Sequence, residues 1–153
     1  PKRLALAKKL GATEAFNVYV PPPPREPTGG KSTQTGLQTG NTPSWINELR
    51  KATRGDGPDV LLEMSGHPQA MNDGFVALRP GGTAALLGIP PMPFTFDLTN
   101  HIIFKGAKVF GINGRKMFET WYQMEALLLS GRLELDENIT HDLPLEKFAE
   151  WFR

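Results

Sequence analysis

Helical and strand-like segments alternate along these 153 residues, and that order predicts an α/β fold: a parallel sheet flanked by helices. Three observations carry the prediction. The runs "DVLLEM" and "TAALLGI" are short and almost unbroken in apolar residues, as strands covered on both faces are. Segments with helical spacing lie between them, and glycine or proline marks nearly every junction.

The elements follow in order. In "RLALAKKLGA", Leu6, Ala7 and Leu10 share a helical face, and Gly11 stands where a helix end takes a positive φ. "EAFNVYV" alternates Phe16, Val18 and Val20 and predicts a short strand. Residues 21–43, "PPPPREPTGGKSTQTGLQTGNTP", read as an irregular insertion with a polyproline II start and a flexible end. The rival reading is a docking segment for a proline-recognising module. Ser44 suits the N-cap of "WINELRKAT", where Trp45, Ile46 and Leu49 share a face.

"RGDGP" ends that helix, and "DVLLEM" follows as a strand that stops at Ser65-Gly66. Pro68 opens the next helix, in which Met71, Phe75 and Leu78 fall on one side before "RPGG". "TAALLGI" is a strand, "LTNHIIFKG" a turn or two of helix ending at Gly106, and "AKVFGI" a further strand. Glu119 to Leu129 predict an amphipathic helix, with Phe118, Trp121, Tyr122 and Leu129 inward and Gly131 as its stop. "LPLEKFAEWFR" predicts a last helix with Leu145, Phe148 and Phe152 on one side.

The composition narrows the function. Hydrophobic residues make up 39%, charged residues 22%, and the net charge is +1, so no basic face for nucleic acid or an anionic membrane is indicated. No apolar run has the length of a membrane span. There is no cysteine, which excludes disulfides and thiolate chemistry within these residues and suits the cytoplasm. In parallel α/β sheets ligands lie beyond the carboxyl ends of the strands, where the strand order reverses. Leu87-Gly88-Ile89 and Ser65-Gly66 stand at such ends, and glycine there lets a flat ligand approach the backbone.

The segments "DVLLEMSGHPQAMNDGFVALRPGGTAALLGIPP", "IIFKGAKVFGINGRKMFETWYQMEALLLSGRL" and "ITHDLPLEKF" carry a resemblance. They resemble the L-threonine 3-dehydrogenase family, a zinc-dependent, NAD-using branch of the medium-chain dehydrogenase superfamily. The likeness covers residues 1–18 and 45–153. It implies a Rossmann-type NAD domain over 1–153 and oxidation of L-threonine to 2-amino-3-oxobutanoate with hydride transfer to NAD. It also implies a homo-oligomer, dimer or tetramer, in which "AKVFGIN" pairs edge to edge with its copy.

The chain opens inside a helix pattern, and the resemblance implies a partial domain. The GroES-like catalytic domain with the zinc ligands would lie outside these residues. So would the first strand, the glycine-rich turn, the ribose-gripping acidic residue and a last strand. Zinc is then expected only in the intact protein, no catalytic residue is expected here, and the chain alone is expected to be inactive. Two alternatives stand beside this reading: a related zinc polyol or alcohol dehydrogenase, and a truncated, non-catalytic α/β module.

Cofactor contact is what the resemblance implies for six residues. Arg3 would reach the adenosine end of NAD, where residue reasoning alone gives a solvated helix-terminus arginine. Leu87, Gly88 and Ile89 would line the nicotinamide, with main-chain amides for its carboxamide. Ile112 and Asn113 would lie on the same side, Asn113 standing where many relatives have an aromatic. Glu63 and Ser65 read as scaffold close to the cofactor. His67, His101 and His141 show no ligand spacing. Arg115 and Lys116 read as solvated charges, and Phe118, Trp121, Tyr122 and Met124 as core.

Overall fold

The computed structural model describes residues 2–18 and 42–151. They form two compact units, one over Arg3–Asn113 and one from Gly114 onward. The insertion expected at 21–43 lies outside the described residues except for its last two positions, and so do Val20 and Phe152.

Helix α1 is Lys2–Lys9. Gly11 at φ +106° closes it, with Gly11 N donating to Lys8 O and Ala12 N to Ala7 O, the paired bonds of a glycine-ended helix. The strand expected at 14–20 is not formed at residues 14–18. Alternation there reflects a local contact instead, because the Phe16 ring packs 6.2 Å from that of Trp45. Helix α2 runs Ser44–Ala52, and Pro43 rather than Ser44 holds the cap position, with no side-chain cap bond. Proline has no N–H and a fixed φ, so it enters a helix without leaving a donor orphaned. Ile46 is fully buried.

The expected parallel sheet is present. β1 (Val60–Glu63), β2 (Thr83–Leu86) and β3 (Lys108–Gly111) pair in that order, Val60 beside Thr83 and Thr83 beside Lys108. The order does not reverse among these strands, so the switch point expected from the fold class is not between them. Helix α3 (Pro68–Ala77) crosses from β1 to β2 with proline at its start. It lays Phe75, followed by Leu78, on Ala84, with Leu61, Leu86, Phe96, Ile102 and Ala107 around them. Gly74 permits the close approach, since a Cβ there would press on the Leu61 side chain. A π-helical turn at Thr99–Ile103 then leads through Gly106, at φ +58°, into β3.

Coverage differs from the expectation. Leu61 and Glu63 face α3, but Val60 and Leu62 on the opposite face, and Met64 just beyond the strand, are exposed, as is every residue of β3. Nearly continuous apolar composition predicted cover on both faces, and among the described residues helix packing supplies it on one.

In the second unit α4 spans Glu119–Leu129 as expected, and Gly131 takes φ +67°. Its apolar residues do not pack inward: Trp121 is 52% exposed, Tyr122 68% and Leu129 83%, with Phe118 and Met124 exposed too. The helical period is correct, but among the described residues of its own unit no layer covers that face. The expected last helix is shorter. A 3₁₀ turn at Leu145–Lys147 precedes α5 (Phe148–Trp151), and Leu145 and Phe148 are exposed.

Candidate functional site at the strand ends

Three parallel strands direct their carboxyl ends to one edge of the sheet, and the chain leaves each of them at a turn containing glycine. Leu87 and Ile89 are exposed there, and Gly88 between them is partly buried. Ile112 joins them across the ladder, its amide donating to Leu86 O at 2.9 Å, and Asn113 follows it in exposed coil. Five of the six expected cofactor residues are thus brought to one edge. Arg3 stands on the exposed first turn of α1, and no described hydrogen bond ties it to them.

The glycines at this edge answer to each other. A Cβ on Gly88 would fall within contact of Gly66 N, Gly66 Cα and Glu63 Oε2. One on Gly66, which sits at φ +68°, would meet the backbone of Ile89. Close approach was the right physical reason for glycine, and the neighbouring turn is what approaches.

Glu63 holds the two turns. It is 4% exposed on the apolar, α3-facing side of β1. Its Oε1 accepts from Ser65 N at 2.9 Å and from Ser65 Oγ, and Oε2 accepts from Gly66 N at 3.1 Å. Ser65 Oγ in turn accepts from His67 N at 3.1 Å, at the start of α3. The Glu63 carbonyl accepts from Leu87 N at 2.8 Å and Gly88 N at 3.1 Å. Those two amides were expected to meet a carboxamide and are already engaged. Among the described hydrogen bonds, the Ile89 amide and the Leu87 and Gly88 carbonyls remain uncommitted. Sequence reasoning underrated Glu63; the signal was an acid interrupting an apolar run two residues before Ser-Gly.

Away from this edge, His101 is buried against the rings of Phe75 and Phe96 at 6.1 and 5.1 Å. Burial pushes its imidazole down from the ordinary range, Asp97 opposes the fall and Lys105 adds to it. His67 takes the residue before α3, and His141 is exposed with Nδ1 2.9 Å from Thr140 Oγ1. Arg115 lies 4.9 Å over the Trp121 ring, and Lys116 pairs with Glu119 at 3.7 Å. Among the described residues no group of three or more His, Cys, Asp or Glu could hold a metal ion. Among the described residues no helix is long and apolar enough to cross a membrane.

The family model described as "Zinc-binding dehydrogenase" matches residues 1–130, most of the chain. The chain belongs to the zinc-binding dehydrogenase family. Among curated relatives, an L-threonine 3-dehydrogenase of Bacillus velezensis is 43% identical over 98% of this chain and 37% of its own length. One from Pyrococcus horikoshii is 44% identical over 70% of this chain and 31% of its own. The chain therefore spans about a third of those relatives. Among solved structures, an alcohol dehydrogenase from Thermus sp. ATN1 aligns with a TM-score of 0.72 and 26% identity, over 99% of this chain and 38% of that one. A Thermotoga maritima alcohol dehydrogenase gives 0.74 at 24% identity, over 98% and 36%, a likeness of fold.

Proposed function

We propose that these residues form the nicotinamide-facing part of the cofactor domain of an NAD-dependent L-threonine 3-dehydrogenase. The observation that carries the reading is the gathering of Leu87, Gly88, Ile89, Ile112 and Asn113 at one sheet edge, in a chain 43% identical to a relative of that name. In this reading NAD, when bound, accepts the hydride leaving the β-carbon of L-threonine. Leu87, Ile89 and Ile112 offer exposed apolar surface to one ring face and keep water from it. The Leu87 and Gly88 carbonyls accept from the carboxamide, the Ile89 amide donates to it, and Arg3 serves the adenosine end.

The pyrophosphate seat is assigned to residues outside this chain, because a glycine-rich turn opening a helix does not occur at a strand end described here. Zinc is likewise not assigned to these residues, whose described acids and histidines do not cluster. The whole-protein activity, a dimer or tetramer paired along β3, and a cytoplasmic setting complete the proposal.

The test uses the polypeptide as its source cell makes it. NAD reduction with L-threonine should exceed that with sorbitol or 2,3-butanediol by at least about a hundredfold in kcat/KM, the scale on which a site that hydrogen-bonds its substrate separates polar analogues. Equal rates would move the protein to the polyol dehydrogenases. No reduction with any of them would leave the α/β module without catalysis.

A further inference from the structure

We propose that Glu63 is a positioning residue for the cofactor, acting through the backbone it holds; this rests on the cofactor reading above. The observation is one residue gripping both strand-end turns. Its carboxylate gathers Ser65 N, Ser65 Oγ and Gly66 N, and its carbonyl gathers Leu87 N and Gly88 N. Gly66 and Gly88 then lie so close that neither admits a side chain. The direction in which the Leu87 and Gly88 carbonyls and the Ile89 amide face is therefore fixed from the turn after β1.

A buried carboxylate with no described cation partner needs hydrogen-bond donors on both oxygens, and here the local backbone and one hydroxyl supply them. Stabilising one turn would need only the carboxylate's own bonds to Ser65 and Gly66. The Glu63 carbonyl would hold Leu87 N and Gly88 N whatever the side chain, but the carboxylate also abuts Gly88, where an added Cβ would meet Oε2, so a change of side chain at 63 should reach the cofactor segment before it reaches the core.

Glu63→Gln keeps the size and turns one acceptor into a donor facing the Gly66 amide. The experiment compares it with Lys105→Met, a change at the opposite end of α3, in the polypeptide as its source cell makes it. Amide hydrogen exchange and NAD titration are followed at a temperature where both variants remain folded. The expected result is faster exchange of Leu87 and Gly88 with Thr83 and Lys108 amides unchanged, and NAD affinity lower by about tenfold in Glu63→Gln. Lys105→Met should alter NAD affinity by less than about twofold, within the usual independence of separated sites.

Exchange that rises equally across all three strands overturns the proposal, as does unchanged NAD affinity in Glu63→Gln. If NAD leaves the unsubstituted protein's strand-end amides unperturbed, the cofactor reading itself falls. The exchange pattern would then still report separately whether Glu63 holds the segment.

Discussion

At the scale of single residues, strand ends are governed by what cannot be enlarged. Gly88→Ala should destabilise the fold by about 2–4 kcal/mol, because the added methyl meets backbone that cannot rotate aside. A denaturant titration checks this, and a loss below about 0.5 kcal/mol would mean that the turns part easily. His101 gives a pH prediction with a definite sign. Its folded pKa lies below the unfolded value, so its contribution to stability is present above about 6.5 and is lost as pH falls through the lower folded value. Melting temperature should drop between pH 7 and pH 5, and His101→Leu should flatten that slope. Asp73 works the other way: burial raises its pKa, outweighing the Gln69 hydrogen bond. Its contribution is present below its ordinary range and lost as pH rises through the folded value, so Asp73→Asn should raise the melting point at pH 7 and leave it unchanged at pH 3.

At the scale of elements, α3 is the best-anchored helix of the first unit. A helix leaves its last carbonyls unpaired, and here Lys105 Nζ donates to Phe75 O, Val76 O and Leu78 O, while Arg50 Nη2 adds a bond to Val76 O at 2.9 Å. Lys105→Met should cost about 1–3 kcal/mol, read as a shifted unfolding midpoint. This cap was not legible in the sequence, because Lys105 is 27 to 30 residues from its partners. Local patterns were legible: Gly11, Pro68, Gly106 and Gly131 marked element ends, and Met71, Phe75 and Leu78 marked the buried face of α3. The strand expected at 14–20 did not form at 14–18 because alternation over so few residues says nothing about a partner to pair with. The site was legible as a strand end, but not the Glu63 grip, which depends on two strands coming into register.

At the scale of the whole molecule, large apolar side chains stand exposed among the described residues of each unit. Leu62, Met64 and Phe110 in the first unit and Trp121, Tyr122 and Leu129 in the second are all more than half exposed. The relatives are nearly three times as long as their overlap with this chain. The polypeptide recovered from source cells should therefore have an intact mass well above that of 153 residues and should scatter light as a dimer or tetramer. Prepared as these residues alone, the chain should bind a hydrophobic dye and associate at micromolar concentration. A monodisperse, dye-silent monomer would count against both expectations.

The mutual footprint of Gly66 and Gly88 also governs which lengths the chain tolerates. At the exposed residues Pro91, Met92 and Pro93 the connection should gain or lose residues without disturbing the sheet, short of Phe96, which packs on the core. Between Glu63 and Gly66, or between Leu86 and Gly88, one inserted residue would move each glycine off the other and leave a side chain where only hydrogen fits. An insertion scan should find the two short turns closed to change and the proline loop beside them open. The boundary between fixed and free chain should fall within two or three residues of Ile89.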